Sequence, residues 1–114
     1  MPQPQPLLSV TMPTRNRAEL LERALRSVVG AVEPVAGQVE VAVSDGSDGD
    51  ASGAVVHRLL TGWAGGLRYV WNQPPLPLVE NMNRAVEIST GQWVMQLDDD
   101  DYLLPGTSDG RMRL

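Results

Sequence analysis

Trp93-Val94-Met95-Gln96-Leu97 runs directly into Asp98-Asp99-Asp100-Asp101, and the reading of that junction decides the fold. The first half is apolar and of strand length, which suits a buried strand. The second half is four adjacent carboxylates, which repel one another at up to ~1 kcal/mol per close pair even in bulk water. A folded chain keeps such a cluster most readily where a cation or a solvated turn absorbs the charge. Hard divalent ions such as Mg²⁺ and Mn²⁺ take carboxylate oxygens and share their remaining positions with phosphate. One reading is therefore a metal-diphosphate site at the end of a buried strand. The other is a solvated acidic turn ahead of Leu103-Leu104-Pro105-Gly106. The run alone favours the turn; the positions of the other polar clusters change the balance.

Upstream of the junction, strand and helix signals alternate. Leu7 to Met12 reads as a short buried strand ended by Pro13. Asn16-Arg17-Ala18-Glu19 has the spacing of a capping box, and the helix it opens places Leu20, Leu21, Ala24, Leu25, Val28 and Val29 on one stripe, with Gly30 as its stop. Val39 to Val43 is a second strand ending at Ser44-Asp45-Gly46-Ser47. Asp48 caps a second helix with Val55, Val56, Leu59 and Leu60 inward, and Leu67 to Trp71 is a third strand. The Pro-rich loop Pro74-Pro75-Leu76-Pro77 leads into a third helix, Leu78 to Ser89, packing through Met82, Ala85, Val86 and Ser89, with Gly91 as a left-handed C-terminal cap. Trp93 to Leu97 is then the fourth strand, with Trp93 in or near the core. The order βαβαβαβ with short connections predicts an α/β domain, a mostly parallel sheet with helices on both faces.

Bulk composition sets outer limits. The chain has 114 residues, 42% apolar and 20% charged, enough for one globular domain over 7–106. A flexible Pro/Gln tail over 1–6 and an irregular tail over 107–114 flank it. A net charge of −5, from nine basic and fourteen acidic residues, argues against nucleic acid as the main partner. No apolar run approaches the ~20 residues of a membrane helix, and the opening lacks the regions of a signal peptide, so the expected location is cytoplasmic. Cysteine is absent, which excludes thiolate metal sites and disulfides.

In a parallel sheet of this kind, ligands bind outside the carboxyl ends of the strands, where the strand order reverses. Pro13-Thr14-Arg15-Asn16, Ser44-Asp45-Gly46-Ser47 and the Asp run all lie at such ends. Three clusters on one rim are a much stronger signal than one acidic turn.

These residues also carry a family resemblance. Leu8-Ser9-Val10-Thr11-Met12-Pro13-Thr14-Arg15-Asn16-Arg17, then Val43-Ser44-Asp45-Gly46-Ser47, then Thr90-Gly91-Gln92-Trp93 leading to Leu97 and the Asp run, resemble the family 2 glycosyltransferases with the Rossmann-like GT-A fold. The resemblance covers about Leu7 to Gly106, with Asn81-Met82-Asn83-Arg84-Ala85 similar to the helix preceding the acidic motif. It implies transfer of a sugar from a metal-bound nucleotide-diphospho-sugar, foremost a UDP-sugar, to the hydroxyl of an unidentified acceptor. It also implies a divalent cofactor, Mn²⁺ or Mg²⁺.

Residue by residue, the resemblance implies that Asp45 accepts a hydrogen bond from the base and that Pro13, Thr14, Arg15 and Asn16 line base and ribose. Asn81 faces the donor pocket, with Asn83 a further candidate. In the DXD-like run, Asp99 faces the ribose and Asp100 bridges the metal. Asp98 shares either task, because four consecutive Asp residues leave the register open by one. The metal would act as a Lewis acid on the diphosphate leaving group. The catalytic base is unassigned. Two positions depart from the family pattern: Ser44-Asp45 stands where many relatives carry two acidic residues, and Arg15 stands where an aromatic is common.

Relatives continue past the acidic motif into an acceptor-binding half, whereas Gly106 to Leu114 is polar and without helical period. A truncated, donor-binding half is therefore the expectation, and a non-catalytic nucleotide-binding fragment or subunit is the alternative function. A purely structural domain would bind no nucleotide. A nucleotidyltransferase lacks the Gly-rich basic loop expected after the first strand. His57 has no second His or Cys to form a site, and Trp63 reads as a loop anchor. Asp48 and Asp50 fail the EF-hand pattern, and no Walker or GxGxxG motif is present.

Overall fold

The computed structural model describes residues 5–104. Within them strand and helix alternate as β1 (Leu8–Thr14), α1 (Ala18–Val32), a 3-10 segment (Glu33–Gln38), β2 (Val39–Asp45), α2 (Ala51–Leu60), β3 (Gly66–Trp71), α3 (Leu78–Ile88) and β4 (Trp93–Gln96). The four strands make one all-parallel sheet in the order β3-β2-β1-β4. The first two crossovers each step to the neighbouring position. The third carries the chain from β3 back past β2 and β1 to the other side of β1. Parallel crossovers are right-handed, so this change of direction moves α3 to the face opposite α1 and α2.

The two faces of the sheet differ in chemistry. Val10 and Met12 of β1 and Val39, Val41 and Val43 of β2 pack with Leu21, Ala24, Leu25, Val28 and Val32 of α1 and Val55, Val56 and Leu60 of α2. Full burial of such a side chain contributes about 1.5–3 kcal/mol, so this side holds most of the hydrophobic stabilisation. The alternate positions Ser9, Thr11, Glu40, Ala42 and Ser44 are also buried, on the other face. There α3 contributes Asn81 and Ala85 as its buried residues. Central strands are covered on both sides, which is why β1 and β2 show no exposed position.

Several boundaries differ from the sequence expectations, each for a physical reason. β1 continues through Pro13 to Thr14. The odd-numbered residues of β1 bond towards β4, as in Leu97 N–H to Thr11 O, and β4 pairs only as far as Thr11 opposite Gln96. The N–H that Pro13 lacks therefore falls where no partner strand remains. Asn16 makes no capping box: α1 is preceded by Arg17 without a side-chain cap, and Asn16 adopts φ 54°, a left-handed conformation that asparagine tolerates. Gly30 lies inside α1 rather than ending it, and Asp50 rather than Asp48 precedes α2.

Packing on α3 is also rotated from the expected stripe. Ala85 is buried, whereas Val86 is 45% exposed. Trp93, placed in or near the core from its strand position, is 69% exposed, because β4 is an edge strand among the described residues and Trp93 stands at its first position. Gly91 is not a left-handed cap, since α3 ends at Ile88 with Ser89 as its cap residue, and among the described residues the glycine with positive φ is Gly62. Its requirement is space: a Cβ at Gly91 would lie 2.6 Å from Ser9 Oγ and 2.7 Å from Ser9 N.

Gln5 and Pro6 are tied to the loop before β4, through Gln5 Nε2 to Thr90 O at 3.0 Å and Gln92 N–H to Pro6 O at 3.0 Å. The rest of the proposed 1–6 tail, Pro105 and Gly106, and the 107–114 tail lie outside the described residues. No helix among the described residues is long and apolar enough to cross a membrane.

Candidate functional site

The strand order reverses between β1 and β4, so the carboxyl ends of these two strands diverge into a cleft. A cavity of about 440 Å³ opens there, within the size range of small-molecule sites. Pro13, Thr14, Arg15 and Arg17 line it from the β1–α1 turn. Leu76, Leu78, Asn81 and Met82 line it from the Pro-rich loop and α3, and Gln96, Asp98, Asp99 and Asp100 from β4 and its acidic turn. Two cations thus face three carboxylates across an apolar wall.

The acidic turn is held by its own backbone and by α1. Asp101 N–H bonds to Asp98 O at 3.0 Å, and Gln96 Nε2 donates to Asp98 Oδ1 at 2.9 Å. Arg23 of α1 donates to Asp100 O at 2.9 Å and stacks over Tyr102 at 4.7 Å. Leu103 N–H bonds to Ser27 Oγ, and the Leu103 side chain enters the core. The turn leaves the four carboxylates in unlike places. Asp99 is buried, accepting from Thr14 Oγ1 at 2.8 Å and from Arg17 at 3.3 Å. Burial raises its pKa from the ordinary aspartate value, and Asp100 adds to this, against the lowering effects of Thr14 and Arg17.

Asp98, Asp100 and Asp101 are exposed, and each offers one carboxylate oxygen within 4.8 Å of the others. Converging, water-accessible oxygens of this kind are the donor set that Mg²⁺ and Mn²⁺ take. The residues therefore fit a divalent ion, with Asp101 an addition to the expected pair Asp98 and Asp100.

Beside the cavity, the β1–α1 and β2–α2 loops interlock. Asn16 N–H donates to Ser47 Oγ at 2.8 Å. Its side chain accepts from Asp48 N–H at 2.9 Å and donates to Asp48 Oδ2 at 3.1 Å. Arg15 donates to Gly46 O at 3.2 Å. Asn16 therefore braces the rim and does not line the cavity.

Asp45 is fully buried and not part of the cavity wall. Its Oδ1 accepts from Ser47 N–H at 2.8 Å and its Oδ2 from the Tyr69 hydroxyl at 2.7 Å. Burial, then that bond, raises the Tyr69 pKa, so the phenol remains a donor. Gly53 makes the Tyr69 approach possible, since a Cβ there would meet its hydroxyl at 2.8 Å. Asn81 is a second buried knot: its Oδ1 accepts from Ser44 at 2.7 Å and from Asn72 at 3.2 Å, while its Nδ2 donates to Thr14 O at 3.2 Å. Asn83, two residues from both Asn81 and Ala85 and so on the opposite side of α3, is exposed and outside the cavity wall.

Of the expected site residues, Pro13, Thr14, Arg15, Asn81, Asp98, Asp99 and Asp100 converge on the cavity, while Asn16 and Asp45 support it from behind. Sequence reasoning missed Arg17, Tyr69, Leu76, Met82 and Gln96. Arg17 lies within both the capping-box spacing and the stretch that carries the family resemblance, and neither gives it a role of its own. Tyr69 shares a period-2 face with Trp71, whose Nε1 donates to Ser47 O at 2.9 Å, and that alternation was the available signal. His57 is exposed and meets Tyr69 edge to face, and Trp63 anchors its loop through Nε1 to Gly66 O at 3.2 Å.

Comparison with known proteins agrees with this geometry. Residues 9–109 match the family described as glycosyl transferase family 2. An uncharacterised Mycobacterium tuberculosis protein is 33% identical over 90% of this chain and 30% of its own length. A Campylobacter jejuni protein, GalNAc(5)-diNAcBac-PP-undecaprenol beta-1,3-glucosyltransferase, is 35% identical over 89% of this chain and 32% of its own. Among solved structures, a mannosyltransferase from Pyrobaculum calidifontis in complex with GDP-Man and Mn²⁺ superposes with a TM-score of 0.75 at 26% identity, over 93% of this chain and 30% of that one. The chain spans less than a third of the length of each. The doubly wound parallel sheet, the acidic turn at its switch point and a match over nearly the whole chain agree: this protein belongs to glycosyl transferase family 2.

Proposed function

We propose that this chain is the donor-binding part of a glycosyltransferase and holds a nucleotide-diphospho-sugar, with a divalent ion, in the cavity between β1 and β4. The single observation that carries the reading is the charge layout of that cavity. Arg15 and Arg17 line it from the β1–α1 turn, and Asp98 and Asp100 line it from the acidic turn, where their carboxylate oxygens converge with one of Asp101. A diphosphate needs both: cations for its outer oxygens, and a metal to lie between it and the carboxylates.

In this reading Asp98, Asp100 and Asp101 would hold Mn²⁺ or Mg²⁺. The bound ion would supply Lewis-acid stabilisation of the nucleoside diphosphate as it leaves the sugar. Asp99 faces the ribose, with Thr14 fixing one of its oxygens. Leu76, Leu78 and Met82 give the donor an apolar wall. Asp45 acts through Tyr69 and Ser47, whose positions it sets, rather than through an open oxygen. The sugar passes to an acceptor hydroxyl, and none of the described residues is assigned as the base that deprotonates it. UDP is the first nucleotide to try. GDP is the second, because the structural relative from Pyrobaculum calidifontis holds GDP-Man with Mn²⁺.

Calorimetric titration of the purified chain with UDP and GDP, with and without Mn²⁺, tests the proposal. Binding that requires Mn²⁺ is the expected result. A folded chain that binds neither nucleotide in saturating Mn²⁺ overturns it.

A further inference from the structure

Arg17 stands where the opposite charges of the cavity meet. It precedes α1, lines the cavity and is half-exposed. Its Nη1 lies 3.3 Å from Asp99 Oδ1 and 3.8 Å from Asp100 Oδ2. Both contacts use one nitrogen, and among the described residues the other guanidinium N–H groups make no hydrogen bond. Asp100 also belongs to the group of carboxylates whose oxygens converge within 4.8 Å. One carboxylate is thus shared between a resident cation and the place a divalent ion would take.

A guanidinium and a divalent ion on the same carboxylate repel each other, and the repulsion grows as water is excluded. The guanidinium keeps its planar fork of N–H donors in either position, and a diphosphate offers it acceptors in place of those it gives up. We propose that Arg17 is a resident counter-cation that competes with the divalent ion for Asp100 and transfers from Asp99 and Asp100 to the donor's diphosphate when the ion binds. Metal and nucleotide then bind each other's complexes better than they bind the free protein, and the coupling is reciprocal. This inference rests on the function proposed above.

The test compares Arg17→Gln and Arg17→Lys with the unaltered chain, first in titrations with Mn²⁺ alone and then with UDP and GDP in saturating Mn²⁺. Circular dichroism confirms folding, which the change should not disturb because, among the described residues, the half-exposed side chain has only Asp99 and Asp100 as polar partners. Arg17→Gln is expected to bind Mn²⁺ alone roughly three- to tenfold more tightly, the scale set by a part-exposed ion pair meeting a doubly charged competitor. It is expected to lose nucleotide affinity by a similar factor. Arg17→Lys, which keeps the charge, should retain the weak Mn²⁺ affinity of the unaltered chain. An Arg17→Gln variant that binds Mn²⁺ no more tightly than the unaltered chain overturns the inference. Failure of the unaltered chain to bind nucleotide in Mn²⁺ overturns the function instead, while the Mn²⁺ titrations still decide the competition. Mn²⁺ alone bound by neither the unaltered chain nor Arg17→Gln overturns the inference, and the nucleotide titrations in Mn²⁺ still decide the function.

Discussion

Glu40 and Asp99 are both buried carboxylates paired with a half-exposed arginine, yet they lie at opposite ends of the sheet and are surrounded differently. Glu40, near the start of β2, accepts from Ser9 Oγ at 2.6 Å, from Thr90 N–H and Oγ1 at 2.8 Å each, and from Arg68 at 3.3 Å. Asp99, just beyond β4, accepts from Thr14 at 2.8 Å and Arg17 at 3.3 Å. Burial pushes both carboxyls upward. At Glu40 the donors outweigh it and the pKa ends below the ordinary value, whereas at Asp99 burial wins and the pKa ends above. A carboxylate saturated by protein donors ties the structure together. One left short of donors at the edge of a cavity is where a ligand has something to add. Through Ser9, Thr90 and the Gly91 N–H bond to Ser9 Oγ, the Glu40 cluster sets where β4 begins, and β4 in turn aims the acidic turn.

Removing Glu40 should have the largest effect. Glu40→Ala leaves Ser9, Thr90 and Arg68 without their acceptor, and stability is expected to fall by about 3 kcal/mol in urea denaturation. A loss below about 1 kcal/mol would break the comparison. The pH dependence follows from the sign of the shift. A carboxyl with lowered folded pKa contributes stability that is present above the unfolded value, near 4.5, and is lost as pH falls through the folded pKa. Glu40→Gln should therefore weaken the acid limb of the stability profile.

Gly91→Ala comes next. Its methyl would meet the Ser9 hydroxyl and backbone nitrogen at 2.6 and 2.7 Å, and overpacking against backbone at such a site costs about 2 kcal/mol. A thermal or urea midpoint equal to that of the unaltered chain would show that the β4 entry has room the geometry denies.

Asp99→Asn should change stability least and binding most. Its raised pKa means that ionisation is disfavoured by folding, so a neutral amide keeps the fold within about 1 kcal/mol of the unaltered chain. Nucleotide affinity in saturating Mn²⁺ is expected to drop by about tenfold, the scale on which groups supporting a metal site act. An equal loss of stability for Asp99→Asn and Glu40→Gln would erase the distinction between the two carboxylates.

The strands, the helix order and the rim were legible in the residues because period and punctuation are local properties. Val39, Val41 and Val43 announce a strand whatever surrounds them, and the Asp run announces a charge problem that some part of the fold must solve. Fine assignments failed where a residue serves a partner far along the chain. Asn16 has capping spacing but is drawn to Asp48, 32 residues on, and Gly91 has the position of a cap but is required by Ser9, 82 residues earlier.

By itself the sequence determined the alternation of elements, the parallel sheet and which clusters share its carboxyl rim, since all three follow from hydrophobic period and short connections. Tertiary structure alone decided which carboxylate does what. Four identical side chains in a row carry no local difference. Their separation into a buried Asp99 and exposed Asp98, Asp100 and Asp101 arises only when the turn after β4 is pinned between Thr14, Arg17 and Arg23.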